Sequence, residues 1–278
     1  MKRSWATEAA EPIRDEEAMI DHLVASRLAG SVDTSVRNTR SKIRGMFDGD
    51  PRCTFGLSLC STATMDDVER ALRVTARATL SVPDEELGYI DPRSTLDGMD
   101  RYAAMLGGIL SSSGLRIVLA TGHPAGLLDH YTTLARELER RGHTLLRPYD
   151  DGPAIATDIE TEQPPRTVRF VGPVGCVYSR PGSLSHSHLS VYMDAMLDAA
   201  TAMGQEVDVV IGDHGMAGAA IERGVPVLSI ADVNDIPLQL AHLAGRNDGL
   251  LVIDDNLPSQ LFRPVTAYIL AKALAASG

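Results

Sequence analysis

The chain has 278 residues, of which 44% are hydrophobic and only 4% aromatic, and it carries a net charge of -11. This composition excludes a disordered chain and points to a core of Ala, Leu, Val and Ile, which suits helices packed on a parallel sheet. The acidic balance excludes an extended nucleic acid as partner, although one small phosphate can still be held by local cations, backbone N–H groups or a metal. Cys53, Cys60 and Cys176 show no CxxC spacing and read as free thiols of a reducing compartment. Residues 1–15 lack the apolar stretch of a secretory signal, and no apolar run approaches the ~20 residues of a membrane helix. A cytoplasmic protein with a frayed N-terminal tail and no membrane partner is expected.

Residues 1–114 read as a mainly helical subdomain. Met19, Leu23 and Leu28 share one face of a helix over 15–29, and residues 53–59 suggest a short strand. Thr64 caps a helix with Asp66 and Asp67 in its first turn. Asp91-Pro92 opens another, with Met99, Tyr102, Ala103 and Leu106 on its apolar side. Arg27, Arg37, Arg40, Lys42 and Arg44 gather around Asn38, either as a solvated helix face or as an anion clamp.

From residue 115 to 278 the pattern changes to alternating strands and helices. Strands are expected at 116–120, 143–147, 167–171, 176–179, 207–211, 225–230 and 250–253; those at 167–171 and 176–179 are consecutive strands or a hairpin. Helices fall between them and at the end, over 124–142, 189–203, 216–222, 237–243 and 260–276. The Ala-rich last helix would suit a homodimer contact, and residues 150–165 read as a loop or lid. Such alternation implies right-handed crossovers. The expected fold is therefore α/β, a doubly wound, mostly parallel sheet in a Rossmann-like three-layer sandwich behind the helical subdomain.

Ligands of such sheets bind outside the carboxyl ends of the strands. Five successive strand ends here present His, Asp or Asn: His123, His186 with His188, Asp213-His214, Asp232 with Asn234 and Asp235, and Asp254-Asp255-Asn256. The turn Thr121-Gly122-His123-Pro124-Ala125-Gly126 could cradle an anion with its backbone N–H groups. It lacks the full GxGxxG pattern, so no NAD is expected, and no P-loop occurs. Asp213 either caps the next helix or faces a ligand. Asp232 and Asn234, with Asp213, offer hard oxygen donors for Mg²⁺ or Mn²⁺. Asp235 reads as a helix cap, and Asp254 and Asp255 are weaker metal candidates, since acidic pairs commonly mark exposed turns.

The segments 120–128, Asp213-His214-Gly215-Met216-Ala217-Gly218 and Ala231-Asp232-Val233-Asn234-Asp235 resemble a family of actinobacterial phosphatases. The likeness also takes in the Arg37-Asn38 region, Gly49-Asp50, Phe55-Gly56-Leu57 and His186-Ser187-His188. It implies hydrolysis of a small phosphorylated metabolite, a sugar phosphate or a nucleoside monophosphate. With that reaction in view, His123, Asp213 and His214 are the expected catalytic groups, with Thr121, Gly122, Gly126, His186, His188, Asn38 and Arg40 binding phosphate or substrate. The same strand ends would also serve a sugar-phosphate isomerase or nucleotide-sugar enzyme, or a non-catalytic ligand-binding protein.

Overall fold

The computed structural model describes residue 13 and residues 15–157, 165–179 and 182–277. The expected N-terminal tail up to residue 12, and residues 158–164 of the expected lid, lie outside the described residues. Helix α1 (Glu16–Ala25) leads into β1 (Gly30–Ser35), α2 (Val36–Phe47), the single turn α3 (Pro51–Thr54), a 3-10 turn (Ser58–Ser61), α4 (Met65–Thr75), β2 (Leu87–Ile90) and α5 (Pro92–Ser111). Then come β3 (Arg116–Thr121), α6 (Pro124–Arg140), β4 (Thr144–Leu145), β5 (Arg166–Val171), β6 (Val174–Ser179) and β7 (Ser183–Leu184). The chain continues through α7 (Val191–Ala202), β8 (Val209–Asp213), α8 (His214–Glu222), β9 (Val227–Ala231), α9 (Ile236–Leu243), β10 (Gly249–Val252) and α10 (Ser259–Ala276).

The main sheet runs β10-β9-β8-β3-β6-β5. From β10 to β6 every pairing is parallel, and the β5–β6 hairpin closes the far edge antiparallel. The sheet is thus the expected doubly wound α/β sandwich with one reversed edge. Strand β4 pairs only with Arg116 and Ile117. It is shorter than residues 143–147 because β6 takes over beside Leu119 to Thr121.

Local chemistry explains most boundaries. Thr64 and Asp67 form a reciprocal capping box at the start of α4. Asp91 caps α5 through the Ser94 N–H, with Pro92 in the first turn. Residues 53–59 are not a strand. Asp50 caps the turn at Pro51, and Phe55, at φ 54, takes a left-handed conformation that ends it. Strands β1 and β2, which the periodicity does not reveal, pair antiparallel as a small separate ribbon.

One hydrophobic cluster runs from Met19 and Leu23 of α1 through β3, β8 and β9 to Ile269 and Ala273 of α10. Helix α5 lies against both β10 and α10. Close approach is required there, since a Cβ on Gly107 would stand 3.0 Å from the Ala273 carbonyl oxygen. The apolar side of α10, with Phe262, Val265, Tyr268 and Ile269, is therefore buried within the chain. No helix among the described residues is long and apolar enough to cross a membrane.

Beneath α10, the His130 Nδ1 lies 2.8 Å from the Thr266 hydroxyl, which itself donates to the Phe262 carbonyl. Nδ1 must then be the donor, leaving a bare Nε2 with no hydrogen-bond partner. Burial pushes the His130 pKa down to about 4, whereas the unfolded chain takes up that proton near ~6.5. Stability from this group is fully present above pH ~6.5 and falls as pH drops through that value towards 4, on the order of 3 kcal/mol across the window. Urea unfolding at pH 7 and 4.5 should show this fall, and His130→Gln should flatten it.

Candidate functional site

Leaving β3 the chain winds towards β6, and leaving β8 it winds towards β9, so the connections diverge above the adjacent ends of β3 and β8. A crevice opens at such a switch point. Here it is a cavity of ≈ 400 Å³ lined by His123, His186, His188, His214, Asp232, Asn234, Asp254, Asp255 and Asn256, with Asp33, Thr34, Ser35, Asn38 and Lys42 as the opposite wall. That wall comes from β1 and α2. It is tied to the sheet by the Asp33 N–H donating to Asp254 Oδ2 and by the Thr34 hydroxyl donating to Asp232 Oδ2.

His214 stands at the centre. It follows β8 directly and adopts φ 45, a left-handed conformation that costs a β-carbon residue ~1–3 kcal/mol. Its ring is buried. Nδ1 lies 3.0 Å from Asp213 Oδ2, and Nε2 lies 3.3 Å from Asp255 Oδ2 and 3.4 Å from Asp235 Oδ2. Burial opposes its charged form, but the Asp235 and Asp255 carboxylates prevail and hold its pKa well above the ordinary value. For Asp235, burial is outweighed by the His214 charge and hydrogen bond, which bring the carboxyl down to about 2. Asp232 moves the other way, pushed well up by burial and then by Asp255, Asp254 and Asp235. Burial also raises Asp254.

His123 enters from the end of β3. Its Nε2 is 3.0 Å from Asn256 Oδ1 and its Nδ1 is 3.4 Å from Asp255 Oδ1. Burial works against its charge, and the Asp255 carboxylate reverses that to give a raised pKa. His186 stacks on His123 at 4.3 Å and His188 on His214 at 4.3 Å, measured between ring centres. Although His186 is exposed as a residue, its ring is closed in by three other imidazoles. Enclosure, and then the charge of His214, push His186 down to about 3 and His188 to about 2. Lys42 Nζ sits 3.0 Å from His188 Nδ1. The Phe55 ring closes edge-on against His188 and His214.

Other expected site residues have different surroundings. At the turn around Gly122 three backbone N–H groups are already engaged. The Gly122 N–H donates to Asp213 Oδ1, that of His123 to the Thr121 hydroxyl, and that of Gly126 to the His123 carbonyl. Thr121, Gly122 and Gly126 thus support the site from below, with Gly126 packed on the Asp255 carbonyl. Arg40 lies outside the cavity, bound to Asp84 and to the Leu80 and Val82 carbonyls. Asn38 lines the cavity and accepts from Asn234 Nδ2 at 2.7 Å. Asp232 is committed to Thr34 and to the Val233 N–H. The donors that converge are imidazoles and carboxylates: His123, His186 and His214 form one group, and Asp213, His214 and Asp255 another, each within 4.8 Å. Asp213 and Asp235 occupy cap positions without making side-chain cap bonds. Asp254 and Asp255 form no exposed turn; both are buried. Lys42, from the basic cluster around Asn38, and the strand-end residues Asp255 and Asn256 line the cavity, together with the β1 residues Asp33 to Ser35, which the sequence did not single out. The run of polar residues after Val32 was the one available signal for β1.

A family model described as Phosphatase matches residues 14–277. The chain is also 33% identical over 268 residues to a Streptomyces coelicolor protein named Phosphatase SCO2771, covering 94% of this chain and 97% of that one.

The segment bearing His186 and His188 is locked by the Ser187 N–H, which donates to the Gly122 carbonyl at 2.9 Å. A Cβ on Gly122 would meet the Ser187 carbonyl oxygen at 2.2 Å. Gly122→Ala should therefore lower the unfolding free energy by ~1–3 kcal/mol and shift the imidazole NMR signals of His186 and His188. Unchanged imidazole signals would contradict this packing.

Proposed function

Because the chain belongs to the Phosphatase family, we infer that it hydrolyses a small phosphate monoester in the cavity at the ends of β3 and β8, with the assistance of a divalent cation. The observation that carries this reading is the convergence of four imidazoles on the carboxylates of Asp213, Asp235 and Asp255 at one strand-end crevice. Phosphoryl transfer asks a protein chiefly to position groups and to balance charge. A phosphoryl group entering here meets Asp33, Asp232, Asp254 and Asp255, with Lys42 as the lysine or arginine of the described lining. At 4 Å and an effective dielectric of 20, each unscreened pair of like charges costs about 4 kcal/mol. The raised imidazoles His123 and His214 are already engaged by Asp255, Asp213 and Asp235, which leaves Lys42 as the cation facing the phosphoryl group, so further positive charge would assist the reaction. A bound cation would supply it, polarising the phosphoryl oxygens and activating water.

The chain's own contributions follow from their positions. Lys42 and His188 form a polar pair at the wall, suited to hold phosphoryl oxygens. Asp213 orients His214 from beneath, and Asn256 does the same for His123. Among the described residues the lining contains hydroxyls, amides, carboxylates and imidazoles but no Phe, Tyr or Trp. A nucleobase would find no such ring to stack on, whereas a polyhydroxylated carbon chain would find donors and acceptors in Thr34, Ser35, Asn38 and Asn234. The reading is therefore a sugar-phosphate phosphatase rather than a nucleotidase.

A phosphate-release screen over sugar phosphates and nucleoside monophosphates, with and without Mg²⁺ or Mn²⁺, tests this. Sugar phosphates should exceed nucleotides at least roughly tenfold in kcat/KM. His214→Ala should lower kcat/KM on the order of 10³-fold with the fold retained. Asn38→Ala should raise KM for the sugar phosphate about fivefold, as loss of one hydrogen bond of ~1 kcal/mol predicts. Arg40→Ala should leave both constants unchanged. Interconversion of sugar phosphates without phosphate release would replace the reading with an isomerase.

A further inference from the structure

The structure assigns divalent transition-metal binding to two donor groups that share His214, one with His123 and His186 and the other with Asp213 and Asp255. This deepens the cation-assisted reading above, but it rests on side-chain geometry and can be tested without turnover.

Two observations carry it independently. The first is the spacing of the donor atoms. For metal–donor bonds of roughly 2.1 Å, adjacent donors stand about 3.0 Å apart in an octahedron and about 3.4 Å apart in a tetrahedron. Asp255 Oδ2 lies 3.3 Å from His214 Nε2 and Asp255 Oδ1 lies 3.4 Å from His123 Nδ1, whereas Asp213 Oδ2 lies 3.0 Å from the other ring nitrogen, His214 Nδ1, so any one ion takes His214 through one nitrogen only. The second is that His123 Nδ1, His214 Nδ1, Asp213 Oδ2 and Asp255 Oδ2 are buried and, beyond these imidazole–carboxylate approaches, make no well-formed hydrogen bond. Buried polar atoms ordinarily make well-formed hydrogen bonds, and several that face one another without them mark a place where something else binds. His123 shows the orientation expected of a ligand. Its Nε2 faces the amide oxygen of Asn256, which can only accept, so Nε2 carries the proton and Nδ1 presents a lone pair to the cluster.

Donor chemistry selects the class of ion. Magnesium and calcium favour shells of oxygen, whereas a set mixing imidazoles with carboxylates favours Mn²⁺, Fe²⁺, Co²⁺ or Zn²⁺. The oxygen donors Asp232 and Asn234 are engaged elsewhere, with Thr34 and Val233 and with Asn38. The site therefore discriminates against Mg²⁺.

The test uses the full chain, stripped with a chelator and titrated calorimetrically with Mn²⁺, Co²⁺, Zn²⁺ or Mg²⁺ alone. At least one equivalent of each transition metal should bind, with Mg²⁺ at least 100-fold weaker. His123→Ala and Asp255→Asn should each weaken Co²⁺ binding tenfold or more, and Arg40→Ala should leave it unchanged. Should either site variant fail to fold, the unaltered chain still decides: bound Co²⁺ must produce visible d–d bands and shift the imidazole signals of His123 and His214. Absence of stoichiometric binding, equal affinity in folded site variants, Mg²⁺ bound as tightly as Mn²⁺, or unshifted imidazole signals would each overturn the assignment. Stoichiometric binding without hydrolysis of any phosphate ester would keep the site and sink the phosphatase reading. Hydrolysis by a chain that binds no cation would do the reverse.

Discussion

Buried negative charge is the constraint around which this molecule is organised. Asp213, Asp232, Asp235, Asp254 and Asp255 are all nearly or completely inaccessible. Withdrawing carboxylates from water is costly unless each finds hydrogen bonds or an opposite charge. The backbone answers part of that demand. The N–H groups of Gly122, Asp33, Asn256 and Val233 donate to Asp213, Asp254 and Asp232, and the Asp232 N–H donates to Asp235. These bonds bend the strand-end loops towards one another. The same groups that make the site electronegative also fix its walls.

One wall comes from outside the main sheet. The β1–β2 ribbon lies against the connection after β9, where a Cβ on Gly88 would touch Val233 at 3.3 Å. Its docking through Asp33 and Thr34 places Asn38 and Lys42, on the first turns of α2, across from the four histidines. A bare doubly wound sheet would leave that side of the crevice open. The sequence before residue 115 therefore supplies one wall of the cavity, and Ser35 serves twice, as cap of α2 and as part of the lining.

The sheet was legible in the sequence because short apolar runs bounded by Gly, Pro and Asp are the direct imprint of strands buried on both faces. The site was legible because polar residues follow those runs so consistently. What escaped was long-range. The β1–β2 pairing joins segments some fifty residues apart, and strand pairs of that kind leave little local periodicity. Asp235 stands where a helix cap stands, so local rules read it as a cap, and for Asp213 they leave a cap and a ligand-facing group side by side; their partners, the Asp232 and Gly122 N–H groups, are set by tertiary packing. Asp254 and Asp255 look like a solvated turn until the ribbon covers them. Arg40 shows the converse case, a cation near the right neighbours in sequence that bridges to the loop at Leu80 and Val82 instead. Proximity along a helix does not decide which way a long side chain reaches.

The geometry of His214 follows from sterics as much as from charge. Its left-handed backbone is an unfavourable state that persists only where the surroundings leave no alternative. Those surroundings are tight: a Cβ on the following Gly215 would lie 2.4 Å from the His188 carbonyl oxygen, so that segment packs directly on the start of α8. Gly122 presses on the same segment from the β3 side through the Ser187 carbonyl. The stretch carrying His186 and His188 is thus clamped between two glycines belonging to two different strand ends. Any displacement of it must move against β3 and β8 together, which links the stacked pairs His123–His186 and His188–His214 mechanically. Four imidazoles from three separate loops then behave as one rigid set of donors, which is what holding a charged ligand at fixed distances requires.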